Sequence, residues 1–65
     1  ARRVLQSGVA LAQSLDMPYE KAKLQLELWR TDAADVGNLN DAEAAFRRMG
    51  CLYELDKITE AVAHP

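Results

Sequence analysis

The sequence predicts an all-α protein, and three observations carry that prediction. Apolar residues recur at steps of three and four along nearly the whole chain, the spacing that lines one side of a helix. Ala, Leu, Glu, Arg and Lys dominate the composition and β-branched residues are few, as in helical proteins. Breaks at Asp16-Met17-Pro18, Gly37-Asn38 and Gly50 divide the 65 residues into segments of helix length. Together they predict about four antiparallel helices stacked as hairpins in one module spanning residues 1–65.

The first helix is expected over Arg2 to Asp16, with Val4 or Leu5, then Gly8, Leu11, Ala12 and Leu15 on its apolar face. A mid-helix glycine costs about 1 kcal/mol relative to alanine, so Gly8 suggests that another backbone comes close there. Met17-Pro18 closes this helix, because the residue before proline is pushed off helical dihedrals and proline suits the first position of the next helix.

The second helix is expected from Pro18 to Val36. Tyr19, Ala22, Leu26, Trp29, Ala33 and Val36 form one row, and Leu24 and Leu28 a second row beside it, which calls for neighbours on two sides. Thr31-Asp32 is its weakest point, where a break would fall, and Gly37-Asn38 offers left-handed geometry for its end. Asn40 and Glu43 have capping-box spacing and predict a third helix from Asp41 to Met49, stopped by Gly50. Its face is Ala42, Ala45, Phe46 and Met49. A fourth helix is expected from Leu52 to Ala63 with Leu55, Ile58 and Val62 as its apolar row, followed by a frayed His64-Pro65.

Sliding the chain by 34 residues aligns Leu15 with Met49, Met17 with Cys51, Tyr19-Glu20 with Tyr53-Glu54, Lys23 with Lys57, Leu24 with Ile58 and Leu28 with Val62. The same offset lays Gly8 on Ala42 and Ala12 on Phe46. Periods of this length mark arrays of helical hairpins. On these residues the chain resembles the tetratricopeptide repeat family. The run Gly37-Asn38-Leu39-Asn40-Asp41-Ala42-Glu43-Ala44-Ala45-Phe46 is similar to that family's interhelical turn and second helix. The corners around Pro18 and Gly50 are similar to those in degenerate repeats of large bacterial ATP-dependent transcriptional regulators, nucleotide cyclases and kinases. The chain departs from the family where Trp29-Arg30 replaces a Leu-Gly pair and Leu26 replaces a bulky aromatic.

A net charge of −2 gives no general attraction to nucleic acid or to anionic membrane, and neither is an expected partner. One cysteine forms no internal disulfide, and Cys51 is read as a small buried hydrophobe. No apolar run approaches a membrane span of about 20 residues, so a cytoplasmic protein is expected. Because the opening ARRVLQ has no initiator Met, the chain is expected to be a processed product or a segment of a larger protein.

Phosphate-binding glycine loops, nucleophile elbows, zinc-ligand spacings and carboxylate dyads are absent from the sequence, and His64 has no companion ligands nearby. No catalytic residue, metal or cofactor is expected. Trp29, in phase with Leu26 and Ala22, is assigned to core packing rather than to a ligand.

The expected function is therefore a protein-interaction or packing module of a larger regulatory protein, with a protein, a peptide or neighbouring domains of its own chain as partner. The resemblance implies a concave side formed by the first helix of each repeat, which places Leu24, Glu27, Thr31 and Asp35 at the partner-binding groove. Asp56 and Glu60 fall where Ala22 and Leu26 would recur, a polar face like that of a terminal cap, so the module is expected to be the C-terminal end of a longer array. The alternative is a structural domain that completes its core as a homodimer through Val9, Leu24 and Leu28.

Overall fold

A computed structural model describes residues 2–63, so the expected fraying of His64 and Pro65 lies outside the described residues. The chain forms four helices: α1 (Arg2–Ser14), α2 (Pro18–Thr31), α3 (Val36–Met49) and α4 (Leu52–Ala63). Among the described residues there is no strand. Each helix packs on the one before it. Arg2 at the start of α1 reaches Thr31 at the end of α2, and Tyr19 at the start of α2 meets Phe46 near the end of α3, so successive helices run antiparallel. The stack measures 31 × 26 × 15 Å.

The two corners predicted by the 34-residue offset share one backbone geometry. Asp16 and Gly50 both sit in the left-handed region, at φ 54° and 70°. The Asp16 N–H donates to Gln13 O at 3.1 Å and the Met17 N–H to Ala12 O at 2.8 Å. At the second corner the Gly50 N–H donates to Arg47 O at 3.2 Å and the Cys51 N–H to Phe46 O at 2.9 Å, the same pair of bonds moved along by 34 residues. This is the Schellman arrangement, in which the two residues past a helix satisfy its last free carbonyls. Pro18 then opens α2, where its missing N–H costs nothing, and Glu20 in the first turn favours the helix dipole.

The turn between α2 and α3 departs from the sequence reading. α2 stops at Thr31, the weak point, rather than at Val36, and α3 begins at Val36 rather than at Asp41. Asp32 is extended, and its carboxylate accepts the Ala34 N–H at 3.1 Å, closing a side-chain turn that competes with continued helix. Asp35 is the N-cap residue of α3, so Gly37 and Asn38 lie in the first turn of that helix and the expected cap at Asn40 lies within it. Ala33 and Val36 consequently leave the α2 face and are exposed.

The core is a cluster of Ala22, Leu26, Ala42, Ala45, Phe46 and Ile58, with Trp29, Leu39, Cys51 and Leu55 packed against it. Phe46 is fully buried, and Tyr19 meets its ring edge-on at 5.9 Å between centroids. The second apolar row of α2 turns toward α1. Leu28 is buried, and Leu24 Cδ1 lies 3.0 Å from where a Cβ of Gly8 would stand. That close approach sets the rotation of α1: Leu5, Gly8, Val9 and Ala12 turn inward, whereas Val4, Leu11 and Leu15, expected on the apolar face, are exposed. Val62 of α4 is exposed as well, leaving Ile58 and Leu55 as that helix's contribution to the core.

Candidate functional site: a groove between α2 and α4

The N-terminal turns of α2 and α4 come together, where Tyr19 of one reaches Glu54 of the other. A groove of about 340 Å³ opens between them. Leu24, Leu26 and Phe46 line its apolar part, and Lys23, Glu27, Arg30, Glu54 and Lys57 are among the charged residues around it. One hydrogen bond ties the two walls together, from the Tyr19 hydroxyl to Glu54 Oε1 at 2.5 Å. That bond to a carboxylate, helped by partial burial and the Glu54 charge, pushes the Tyr19 phenol up to about 12.

The rim repeats as the corners do. Lys23 Nζ lies 5.4 Å from the centre of the Tyr19 ring, and Lys57 Nζ lies 5.3 Å from the centre of the Tyr53 ring. Each pair is four residues apart on its helix, so the ammonium reaches back over the aromatic face one turn earlier. Among the described residues neither lysine forms an ion pair, whereas Arg30 Nη1 is bonded to Glu27 Oε1 at 2.7 Å. The groove thus carries two cations steadied by rings, one internally neutralised pair and the carboxylates of Glu20 and Glu54.

The four residues expected at the partner-binding surface do not share one environment. Leu24 and Glu27 line the groove. Thr31 and Asp35 lie at the seam with α1, where the Arg2 guanidinium donates to Leu28 O at 3.1 Å, Thr31 Oγ1 at 3.2 Å and Asp35 Oδ2 at 2.8 Å. Asn38 Nδ2 adds a second donor to Asp35 Oδ2 at 2.8 Å. The bond from Arg2, then that from Asn38, hold the Asp35 carboxyl below its ordinary value. Thr31 in turn donates to Leu28 O, so this corner is an internal fastening of α1 to α2.

Sequence reasoning did not assign Tyr19, Lys23, Glu54 and Lys57 to the groove. The signal was present, since Tyr and Lys four residues apart recur at the 34-residue offset. On another face of α2, a more polar cleft of about 260 Å³ is lined by Lys21, Gln25, Asp41 and Arg48, with Gln25 only 4% exposed. No group of three or more His, Cys, Asp or Glu side chains fit to hold a metal occurs among the described residues. No helix among them is long and apolar enough to cross a membrane.

The fold and groove define a small stack of helical hairpins with an open, partly apolar channel. Compared with family models, curated proteins and solved structures, the chain matches none.

Proposed function

We propose that this chain is a protein-interaction module of a larger regulatory protein, which receives a peptide or a neighbouring segment in the groove between α2 and α4. The observation that carries this reading is the pairing of an apolar floor, Leu24, Leu26 and Phe46, with a rim of charged side chains on both walls. Binding sites for macromolecular segments combine such an apolar anchor point with a polar rim. The internal repeat supports the reading too, because it brings two equivalent helix starts together and so makes the groove.

Within this reading Leu24 and Glu27 contact the partner directly, joined by Tyr19, Lys23 and Lys57. Thr31 and Asp35 act through Arg2 by fixing α1 to the stack. The test is selection of binding peptides on the wild-type chain, followed by affinity measurement on Glu27→Lys and on the Lys23→Glu, Lys57→Glu double variant. Reduced affinity at an unchanged melting temperature is expected. Peptides that bind the variants as tightly as the wild type would place the binding surface elsewhere.

A further inference from the structure

Gln25 is buried in a helix whose other buried residues, Ala22, Leu26 and Leu28, are apolar. An amide withdrawn from water without a partner costs free energy, and a methionine would fill the same space without that cost. Yet among the described residues the Gln25 amide makes no hydrogen bond to the protein. No buried polar side-chain atom there is sealed off unpaired either. The slight exposure that Gln25 keeps therefore includes its amide, which opens into the cleft of about 260 Å³ between α2 and α3.

The charged groups around that amide are unpaired too. Lys21, half-buried, and Arg48 and Asp41, both exposed, line the cleft, and among the described residues none of the three forms an ion pair. Their order follows from the packing. Because α2 and α3 run antiparallel, Lys21 in the first turn of α2 lies at the same end as Arg48 in the last turn of α3. Asp41 stands two turns back along α3, about 10 Å away, with Ala44 and Ala45 lining the stretch between. The cleft is thus positive at one end and negative at the other. Gln25, one turn along α2 from Lys21, sets a group that both donates and accepts between the two poles.

These groups select their occupant. A simple anion would answer Lys21 and Arg48 but face Asp41, and a simple cation would answer Asp41 but meet two like charges. A molecule that carries an ammonium and a carboxylate answers all three. We infer that the cleft binds a small zwitterion, an ω-amino acid in which several methylenes separate the two charges. Its carboxylate sits between Lys21 and Arg48 and accepts from Gln25 Nε2, its methylenes cross Ala44 and Ala45, and its ammonium meets Asp41. An α-amino acid holds its charges too close together to reach both ends. The volume is below the roughly 300 Å³ at which pockets for drug-sized molecules begin, so the occupant is small. This cleft shares no lining residue with the groove between α2 and α4, and the inference stands apart from the function proposed for that groove. With most of the charges near solvent, affinity is weak, with a Kd of about 1 mM, and falls as salt is added.

Titration of isotope-labelled protein with ε-aminocaproate, followed by backbone and side-chain amide resonances, tests the inference. The Gln25 side-chain amide and the backbone amides around Lys21 and Ala45 should shift and saturate. Butyrate and butylamine, each with a single charge, and glycine, with its charges close together, should bind about tenfold more weakly or worse. Gln25→Met keeps the length of the side chain without its polar atoms, and Arg48→Glu reverses an exposed charge. Each should lower affinity for ε-aminocaproate by about tenfold or more, with circular dichroism as the check on folding. If Gln25→Met does not fold, Arg48→Glu decides. Asp41→Asn should bind butyrate as tightly as ε-aminocaproate. The absence of saturable shifts up to about 50 mM overturns the inference. So does wild-type protein that takes butyrate or butylamine as readily as the zwitterion, a folded variant at Gln25 or Arg48 that binds like the wild type, or shifts centred on Tyr19 and Lys23 instead.

Discussion

Between α1 and α2, the space beside Ala12 is closed by drawing the helices together over Gly8; at Phe46, the corresponding place one repeat later, a ring fills the space among α2, α3 and α4. The backbone corners that generate the two seams make the same hydrogen bonds. Repeated backbone geometry therefore does not dictate repeated packing. One seam combines the buried Leu28 with the close approach at Gly8 and the polar fastening by Arg2, whereas the other centres on the buried ring of Phe46. A hairpin stack can thus fill one seam with a ring and close another by glycine approach, aliphatic burial and hydrogen bonding together.

The sharpest way to break the comparison is to empty the filled seam. Phe46→Ala should cost about 3–5 kcal/mol, comparable to the whole margin of roughly 3–10 kcal/mol for a domain of this size, and denaturant titration should find the variant largely unfolded. Ala12→Gly, at the corresponding place, should cost only about 1 kcal/mol.

Next in size come the corners, where equivalent positions should respond with opposite signs. Nothing lies within 4 Å of a Cβ placed on Gly50, so Gly50→Ala measures the left-handed backbone alone and should cost about 1–2 kcal/mol. Asp16 already bears that strain, and Asp16→Gly should gain up to about 1 kcal/mol in the same thermal melts.

Smaller still is the electrostatic part of the first seam. The Asp35 carboxyl is held below its ordinary value of 3.8, so the unfolded state binds its proton first as the solution is acidified. Its stabilising contribution is complete above that value and is lost as pH falls through the lower, folded one. Arg2→Ala should flatten this acid limb of the stability curve and leave the limb from the other carboxylates in place.

The last effect is spectroscopic. In Tyr53→Phe the remaining phenol should titrate at about 12, above its ordinary 10, when followed by ultraviolet absorbance. Glu54→Gln should bring that midpoint down. Since the folded state holds the Tyr19 proton more tightly than the unfolded one, the stability tied to it is intact below 10 and declines as pH rises toward the folded value.

Much of the fold was legible because its determinants are local. Pro18 and Gly50 placed both corners, and the alternation of Ala42, Ala45 and Phe46 identified the face of α3 that is buried. The boundary between α2 and α3 was misread because Gly37-Asn38 looks like a terminator, whereas the deciding feature is Asp32, whose side chain folds the turn five residues earlier. The rotation of α1 was not legible either. Val4-Leu5 and Leu11-Ala12 offer two overlapping apolar rows, and only the approach of Leu24 to Gly8 selects between them. Of the residues lining the groove, Leu24 and Glu27 were named from the family resemblance, but Arg2 binding Thr31 and Asp35 is a contact between residues nearly thirty or more apart, which no local pattern encodes.

A slab only 15 Å across leaves no amide far from solvent, and among its helices α2 and α3 alone are flanked on both sides. Deuterium uptake should therefore spread inward from the two outer helices, with α1 and α4 opening in separate local events and the central pair exchanging last. A partner that covers an outer helix would then make itself known as slowed exchange in that helix.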